Sequence, residues 1–456
     1  MKILNNHFLI IIAFNILLYW RIVVKGGYII DDVGPRQRRL KRVKEIKDFL
    51  PSIWRSIRGR EYLNERYEHT FNLVIHIINC ILVYLVFRRV VGDVTSFLAA
   101  ILFACSPINH QISMWISGRG YGISSILILL SWWFPLLGFA LYPVSLRFFA
   151  VNVMGFPLMF LITPIWWLVP VFALGFPAGY HQWMEKTARG INDRQRRFRL
   201  SKLIIVAKTY GYYFRQCLFP IKTTVYNSFM QYHEVVNWAA GFNYKLNHDF
   251  WSGILAIIGA GTVITLHLPG WYGLVWFTVF ILPFCNFITI SMPYGDRYAY
   301  TASIGIALFI AQAFPLAVPY IIGAYCIRTW FIIPMYRSDY WYKEMSLVED
   351  CRYMKSWLFR GRSKWRSCDY SGALQDFLEA QQMYPLDFKA NFDCAAMLTI
   401  IGAPAEALEH LTVAENNLYN TPQIEEHRAY CKRLRNVIEE AKRTGRLNID
   451  SVPVVV

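Results

Sequence analysis

Apolar stretches of about 17 to 22 residues recur near 71–87, 94–116, 122–142, 203–219, 251–267, 272–290, 298–313 and 316–333, a length that crosses a bilayer core. An earlier run from about Leu4 to Val24 lacks a small-residue cleavage site and reads as a retained anchor rather than a removed signal. The run from Phe148 to Tyr180 is too long for one crossing. Pro157, Pro164, Pro170 and Pro177 break it, so it reads as two kinked spans meeting near Gly155 to Thr163. The pattern predicts an all-α, polytopic membrane bundle of about eleven spans over residues 1–335.

Between the first two spans the periodicity changes. Leu40, Val43, Ile46, Phe49, Leu50, Ile53, Trp54 and Ile57 recur every three or four residues within a strongly basic segment, 36–60. One greasy stripe against a cationic face predicts a helix lying in the membrane interface, with Pro51 allowing a bend or restart. Such a helix attracts anionic lipid head groups or an anionic lipid-linked substrate; simple surface anchoring is the plainer alternative. A second basic loop, 186–202, has no comparable stripe. An eleven-span count puts the two loops on opposite faces, so 186–202 is taken as cytoplasmic and the 25–68 loop as outward-facing.

After Met335 the chain becomes mixed and charged with helical periodicity, which predicts a separate helical domain over 336–456. Compared with itself at an offset of 34 residues, Gly372-Ala-Leu374 with Phe377 and Ala380 falls on Glu406-Ala-Leu408 with Leu411 and Ala414. Trp357, Gly361, Ala373, Phe377, Ala380 and Pro385 match the tetratricopeptide pattern in register, and 388–420 continues it. The polar segment 422–444 then serves as a capping helix. Repeats of this kind bind peptides or partner proteins.

Composition agrees with a membrane class: 55% of residues are hydrophobic and only 17% charged, against about 25% in soluble domains. The net charge of +17 is tied to the membrane-seeking stripe and the cytoplasmic loop, which argues against a nucleic-acid partner. The nine cysteines include no C-x-x-C and no His pairing at metal-ligand spacing, so no metal site is expected from them.

Candidate chemistry gathers at the face the topology makes outward. Asp31 and Asp32 lie just past the first span. Ionised carboxylates are costly to desolvate unless paired, hydrated or used, so they mark either a reactive site or simply the point where a helix meets water. Further polar clusters are His69 to His76, Pro107 to Arg119, Phe219 to Lys222 and Tyr294 to Tyr300. With Asp31-Asp32 after the first span, Pro107-Ile-Asn followed by Trp115-Ile-Ser-Gly-Arg119, the stretch Asp296-Arg-Tyr-Ala-Tyr300 running on to Ser303-Ile-Gly305, and C-terminal repeats, the chain resembles the transmembrane and tetratricopeptide-repeat O-mannosyltransferase-like proteins and their bacterial relatives, within the GT-C glycosyltransferase superfamily.

That resemblance implies inverting transfer of a sugar, mannose by the family's name, from a polyprenyl-phosphate donor to an acceptor hydroxyl on the non-cytoplasmic side. It places the chain in a bacterial inner membrane or an endoplasmic reticulum-type membrane, with the repeat domain also non-cytoplasmic. Asp31 or Asp32 would be the general base. Arg119 and Arg297 are candidates to hold the departing lipid phosphate, because guanidinium forks phosphate oxygens bidentately. His76, His110, Gln111, Asp296 and Tyr298 are candidate supporting residues. No cofactor is required, although adjacent Asp residues could hold a divalent metal with a pyrophosphate donor. The chain departs from its relatives at Ser106-Pro107 and Gln111, where they usually carry His-Pro and an acid. It departs again at Gly155-Phe156, where a Lys is expected, and in lacking a Tyr-Arg-Pro element in the first loop. The alternative reading is a noncatalytic membrane scaffold that presents the repeats to a protein partner. A transporter would need more polar residues deep in the spans than Asn15, Asn72 and Asn79.

Overall fold

The computed structural model describes residues 2–29, 65–134, 200–223, 244–286, 294–418 and 424–453. The acidic pair Asp31-Asp32, the stripe of 36–60, the span pair in 148–180 and nearly all of the 186–202 loop lie outside the described residues. Within them the fold is helical throughout, with no strand. The chain divides into two compact units, the boundary falling between Tyr342 and Lys343.

In the first unit the apolar runs become α1 (Lys2–Lys25), α2 (Glu65–Val91), α3 (Asp93–Cys105), α4 (Arg119–Trp133), α5 (Lys202–Leu218), α6 (His248–Thr265), α7 (Trp271–Ile281), α8 (Tyr300–Ala313) and α9 (Val318–Ile332). Among the described residues three helical stretches are long and apolar enough to cross a membrane: Asn6–Lys25, Glu65–Val91 and Pro315–Tyr336. The α3 and α8 helices are buried nearly all round and pack on each other, with α2 and α9 also against α3. A helix apolar on every side has nowhere to sit but inside a bundle or in lipid. Where α7 and α8 cross, the backbones approach so closely that a Cβ on Gly305 would stand 2.2 Å from the Gly273 carbonyl oxygen.

One expected span is divided. The run 94–116 stops as a helix at Cys105, because the residue before a proline is pushed out of the helical region and Ser106, preceding Pro107, is extended (φ −60°, ψ 119°). At 1.5 Å per residue, α3 is only about 20 Å long, short of a bilayer core of about 30 Å. The remainder folds into a 3-10 turn (Pro107–Asn109), a single helical turn (His110–Ser113) and a second 3-10 turn (Ile116–Gly118) leading into α4. The bundle supplies partners for its backbone: Asn72 of α2 donates to the carbonyls of Trp115 (2.7 Å) and Ile112 (3.3 Å), while Asn79 donates to that of Gly122 (3.0 Å) in the first turn of α4. Irregular backbone within a membrane bundle persists only with such internal partners.

The second unit follows α10 (Asp339–Glu349), within which the boundary falls. It holds the helix pairs α11 (Met354–Arg366) with α12 (Tyr370–Met383) and α13 (Phe388–Ile401) with α14 (Pro404–Asn416), then α15 (Ile424–Thr444). First helices begin at Met354 and Phe388 and second helices at Tyr370 and Pro404, an offset of 34 residues in both cases. Asp369 and Asp387 cap α12 and α13, accepting from the Gly372 and Ala390 amides at 2.9 and 3.0 Å. The core places Ala373, Phe377, Ala380, Ala407, Leu411 and Ala414 out of solvent, the small and large positions expected of the repeat. Gly361 completes it: a Cβ there would meet Phe377 at 2.4 Å.

Candidate functional site

The turn between α3 and α4 and the 3-10 turn Asp296–Ala299 before α8 meet at one end of the first unit, and the polar residues of both turns are buried together. His110 lies at their junction. Its Nε2–H donates to Asp296 Oδ2 at 3.0 Å, which leaves Nδ1 to accept from the Tyr336 hydroxyl at 2.5 Å in the neutral ring. The other Asp296 oxygen accepts from the Tyr294 hydroxyl. Burial first, and then the neighbouring Asp296 carboxylate, push the Tyr294 phenol well above its ordinary range, so it stays a donor. His110 and Asp296 are fully buried, where a carboxylate persists only with partners of this kind.

Next in sequence, Arg297 points elsewhere. Its guanidinium donates to Gln111 Oε1 (3.4 Å), Tyr121 OH (3.3 Å) and Tyr298 OH (3.4 Å), and its backbone N–H also donates to Gln111 Oε1 (3.3 Å). The cation lies 4.8 Å from the Tyr298 ring centre and 5.7 Å from that of Trp115, within cation–π range of both. Tyr298 in turn stacks flat on Phe284 at 4.8 Å. Arg297 keeps 7% of its surface exposed and Trp115 keeps 6%, whereas Gln111, His110 and Asp296 keep none. Arg297 and Trp115 are therefore slightly less enclosed than the rest of a buried polar cluster.

Arg119 has a different setting. Its Nη2 meets Glu68 Oε2 at 2.5 Å, both side chains being almost fully buried, and its Nε–H donates to the Ile116 carbonyl at 3.0 Å. His76 sits deeper, between the Tyr300 hydroxyl (2.8 Å) and the Ala104 carbonyl (3.2 Å), as a core residue joining α2, α3 and α8.

Of the residues singled out from sequence, His110, Gln111, Asp296, Arg297 and Tyr298 come together; Arg119 stands on the same turn beside Glu68, and His76 lies below them. Asp31 and Asp32 lie outside the described residues, but the chain leading to them is placed. The Gly27 amide donates to the Tyr336 carbonyl (3.0 Å), the Gly27 carbonyl faces His69 Nε2 (3.3 Å), and Ile29 is buried. Tyr336 thus touches the approach to the acidic pair with its backbone and His110 with its hydroxyl. Sequence reasoning passed over Tyr336, Trp115 as a site residue, and Glu68, although an acid at the head of the apolar run 71–87 was a visible signal. Among the described residues no group of three His, Cys, Asp or Glu side chains could hold a metal.

Fold and site together define an all-helical protein with membrane-length apolar helices and a buried polar cluster at one end of its first unit. No family model matches the chain, and neither a curated protein nor a solved structure does.

Proposed function

We propose that the chain is a multi-pass membrane glycosyltransferase that moves a sugar from a polyprenyl-phosphate donor to an acceptor hydroxyl on the non-cytoplasmic face, with inversion. The observation that carries this reading is the buried polar cluster in which Arg297 donates to Gln111, Tyr121 and Tyr298 beside two aromatic rings, joined through His110 and Tyr336 to the chain that leads to Asp31-Asp32. Inverting transfer needs a carboxylate to take the acceptor's proton and a cation to stabilise the departing phosphate. One of Asp31 and Asp32 takes the first role and Arg297 the second. Arg119, its charge matched by Glu68, fixes the shape of the same turn through the Ile116 carbonyl. His110, Asp296 and Tyr336 are positioning residues. About eleven spans, with 36–60 on the outer surface, complete the membrane domain, and the helix pairs spaced 34 residues apart support a tetratricopeptide-type domain that receives a protein or peptide.

Mass-spectrometric analysis of lipid bound to the purified chain tests the donor class. Polyprenyl phosphate or its glycosylated form should co-purify with the parent and be depleted in Arg297→Gln. Absence of any polyprenyl phosphate, together with no transfer from such donors, would replace this reading by the membrane scaffold.

A further inference from the structure

The chain that leaves α1 toward Asp31-Asp32 passes through a gap with no room for a side chain. A Cβ on Gly26 would stand 2.4 Å from the Ile22 carbonyl oxygen and 2.6 Å from His69 Nε2, and one on Gly27 would stand 2.4 Å from the Arg337 carbonyl oxygen. Real Cβ atoms do not approach that closely, so only glycine lets the backbone lie against both walls. The walls also bond to it. On one side the Gly27 amide donates to the Tyr336 carbonyl at 3.0 Å, and on the other His69 Nε2–H donates to the Gly27 carbonyl at 3.3 Å. Both backbone groups of Gly27 are thus taken, and Ile29, two residues on, is buried.

With Nε2 as the donor, Nδ1 of the neutral His69 ring is an acceptor, buried and without a partner among the described residues. Unmet polar groups are rare in native interiors and call for a reason. The neighbours of His69 on α2 supply one. Glu68, the residue before it, meets Arg119, and Asn72, just under one turn on, donates to the Trp115 carbonyl at 2.7 Å. The first turns of α2 therefore hold the exit of α1 and the turn that carries His110 and Gln111 in one register. We infer that His69 is a positioning residue for the transfer reaction: by holding the Gly27 carbonyl it fixes the chain, four residues before Asp31, against that turn. The catalytic role rests on the glycosyltransferase reading; the hold on Gly27 does not.

His69→Leu removes the donor and leaves an apolar side chain that does not push on Gly26, whereas His69→Gln restores an N–H of similar reach. Both are compared with the parent as full chains in nanodiscs, matched for folding by their melting curves. Two quantities are measured: hydrogen exchange of the peptide that contains Gly27, and kcat and donor KM for transfer from a polyprenyl-phosphate-linked sugar. His69→Leu should exchange about tenfold faster at Gly27, the scale of one lost hydrogen bond, and lose about tenfold to a hundredfold in kcat with donor KM unchanged, the scale of a small misplacement of reacting groups. His69→Gln should recover most of both losses. A fold loosened in general would instead raise KM and speed exchange throughout α1 and α2. Should His69→Leu fail to fold, Gly27→Ala, whose Cβ forces the chain off the Arg337 carbonyl, takes its place with the same two expectations. Parent-like exchange at Gly27 or parent-like kcat in folded His69→Leu, or a loss that His69→Gln does not restore, overturns the assignment. No transfer by the parent sinks the glycosyltransferase reading and the catalytic role with it, while the exchange result still decides whether His69 holds the chain.

Discussion

Replacing Glu68 by Gln removes the carboxylate charge that faces Arg119 at 2.5 Å, in a place where the two side chains keep only 1% and 3% of their surface. The guanidinium is left buried against a neutral amide, with the Ile116 carbonyl and the Phe71 ring, 5.2 Å away, among its remaining neighbours. Breaking a buried pair from one side typically costs about 3–5 kcal/mol, because the surviving charge is stranded rather than because the pair itself was worth that much. At about 2 °C per kcal/mol for a large unit, Glu68→Gln should lower the melting temperature by about 6–10 °C. The double variant Glu68→Met with Arg119→Met removes both charges and fills the space with apolar side chains of similar length, and it should recover most of that loss. Tryptophan fluorescence on heating, in one detergent for all variants, makes the measurement. A Glu68→Gln protein melting within about 1 °C of the parent, or a double variant no more stable than the single one, would refute the assignment of Arg119 as a buried ion-pair partner.

Two further outcomes follow from the same geometry. His110→Gln and Tyr336→Phe each cut the Tyr336 hydroxyl to His110 link, so each should lower kcat about tenfold with little change in donor KM, and the double variant should lose about tenfold again in total rather than about a hundredfold; additive losses would show that the two residues act independently. In the second unit, burial, then the Lys389 cation, then Arg362 hold the Lys355 amine down at about 7, with Asp387 opposing. Between about pH 7 and pH 10 the unfolded chain keeps a proton that the folded one has released, so this group makes stability rise with pH across that window. For a partly exposed amine the effect is about 1–2 kcal/mol after solvent screening. Hydrogen-exchange protection factors of α11 and α13 in the intact chain, taken relative to the intrinsic rate at each pH, should rise over that range, more in the parent than in Lys355→Met, and equal slopes would contradict it.

Much of the architecture is legible in sequence because it is encoded locally. Apolar runs find α1, α5 and α8 to within about two residues, and the 34-residue offset finds the helix pairs, since each pair packs its own Ala373 or Ala407 against its nearest neighbours. The run 94–116 is misjudged as one crossing because mean hydropathy does not register that Ser106-Pro107 ends the helix, although the proline was in plain view. Composition also hides that Asn72 serves the backbone of that turn and Asn79 that of α4 at Gly122. The site is only half readable. His110, Gln111, Asp296 and Arg297 announce themselves as polar residues in apolar surroundings, whereas the partner of His110 lies 226 residues away at Tyr336, a pairing that only tertiary packing creates. Arg119 and Arg297 look alike in sequence. Tertiary packing separates them: Arg119 meets Glu68 of α2, and Arg297 donates to Gln111, Tyr121 and Tyr298.

The central claim is that this chain transfers sugar and that the acidic pair takes the acceptor's proton. Purified parent, Asp31→Asn and Asp32→Asn proteins, matched for folding by their melting curves, are supplied with polyprenyl-phosphate-linked sugar and assayed for transfer to a hydroxyl acceptor. The account predicts turnover by the parent and a loss of about a hundredfold or more in one of the two variants, the scale of general-base catalysis. Full activity in both variants would contradict the role of the pair, and no transfer by the parent from any polyprenyl-phosphate sugar would contradict the enzyme itself.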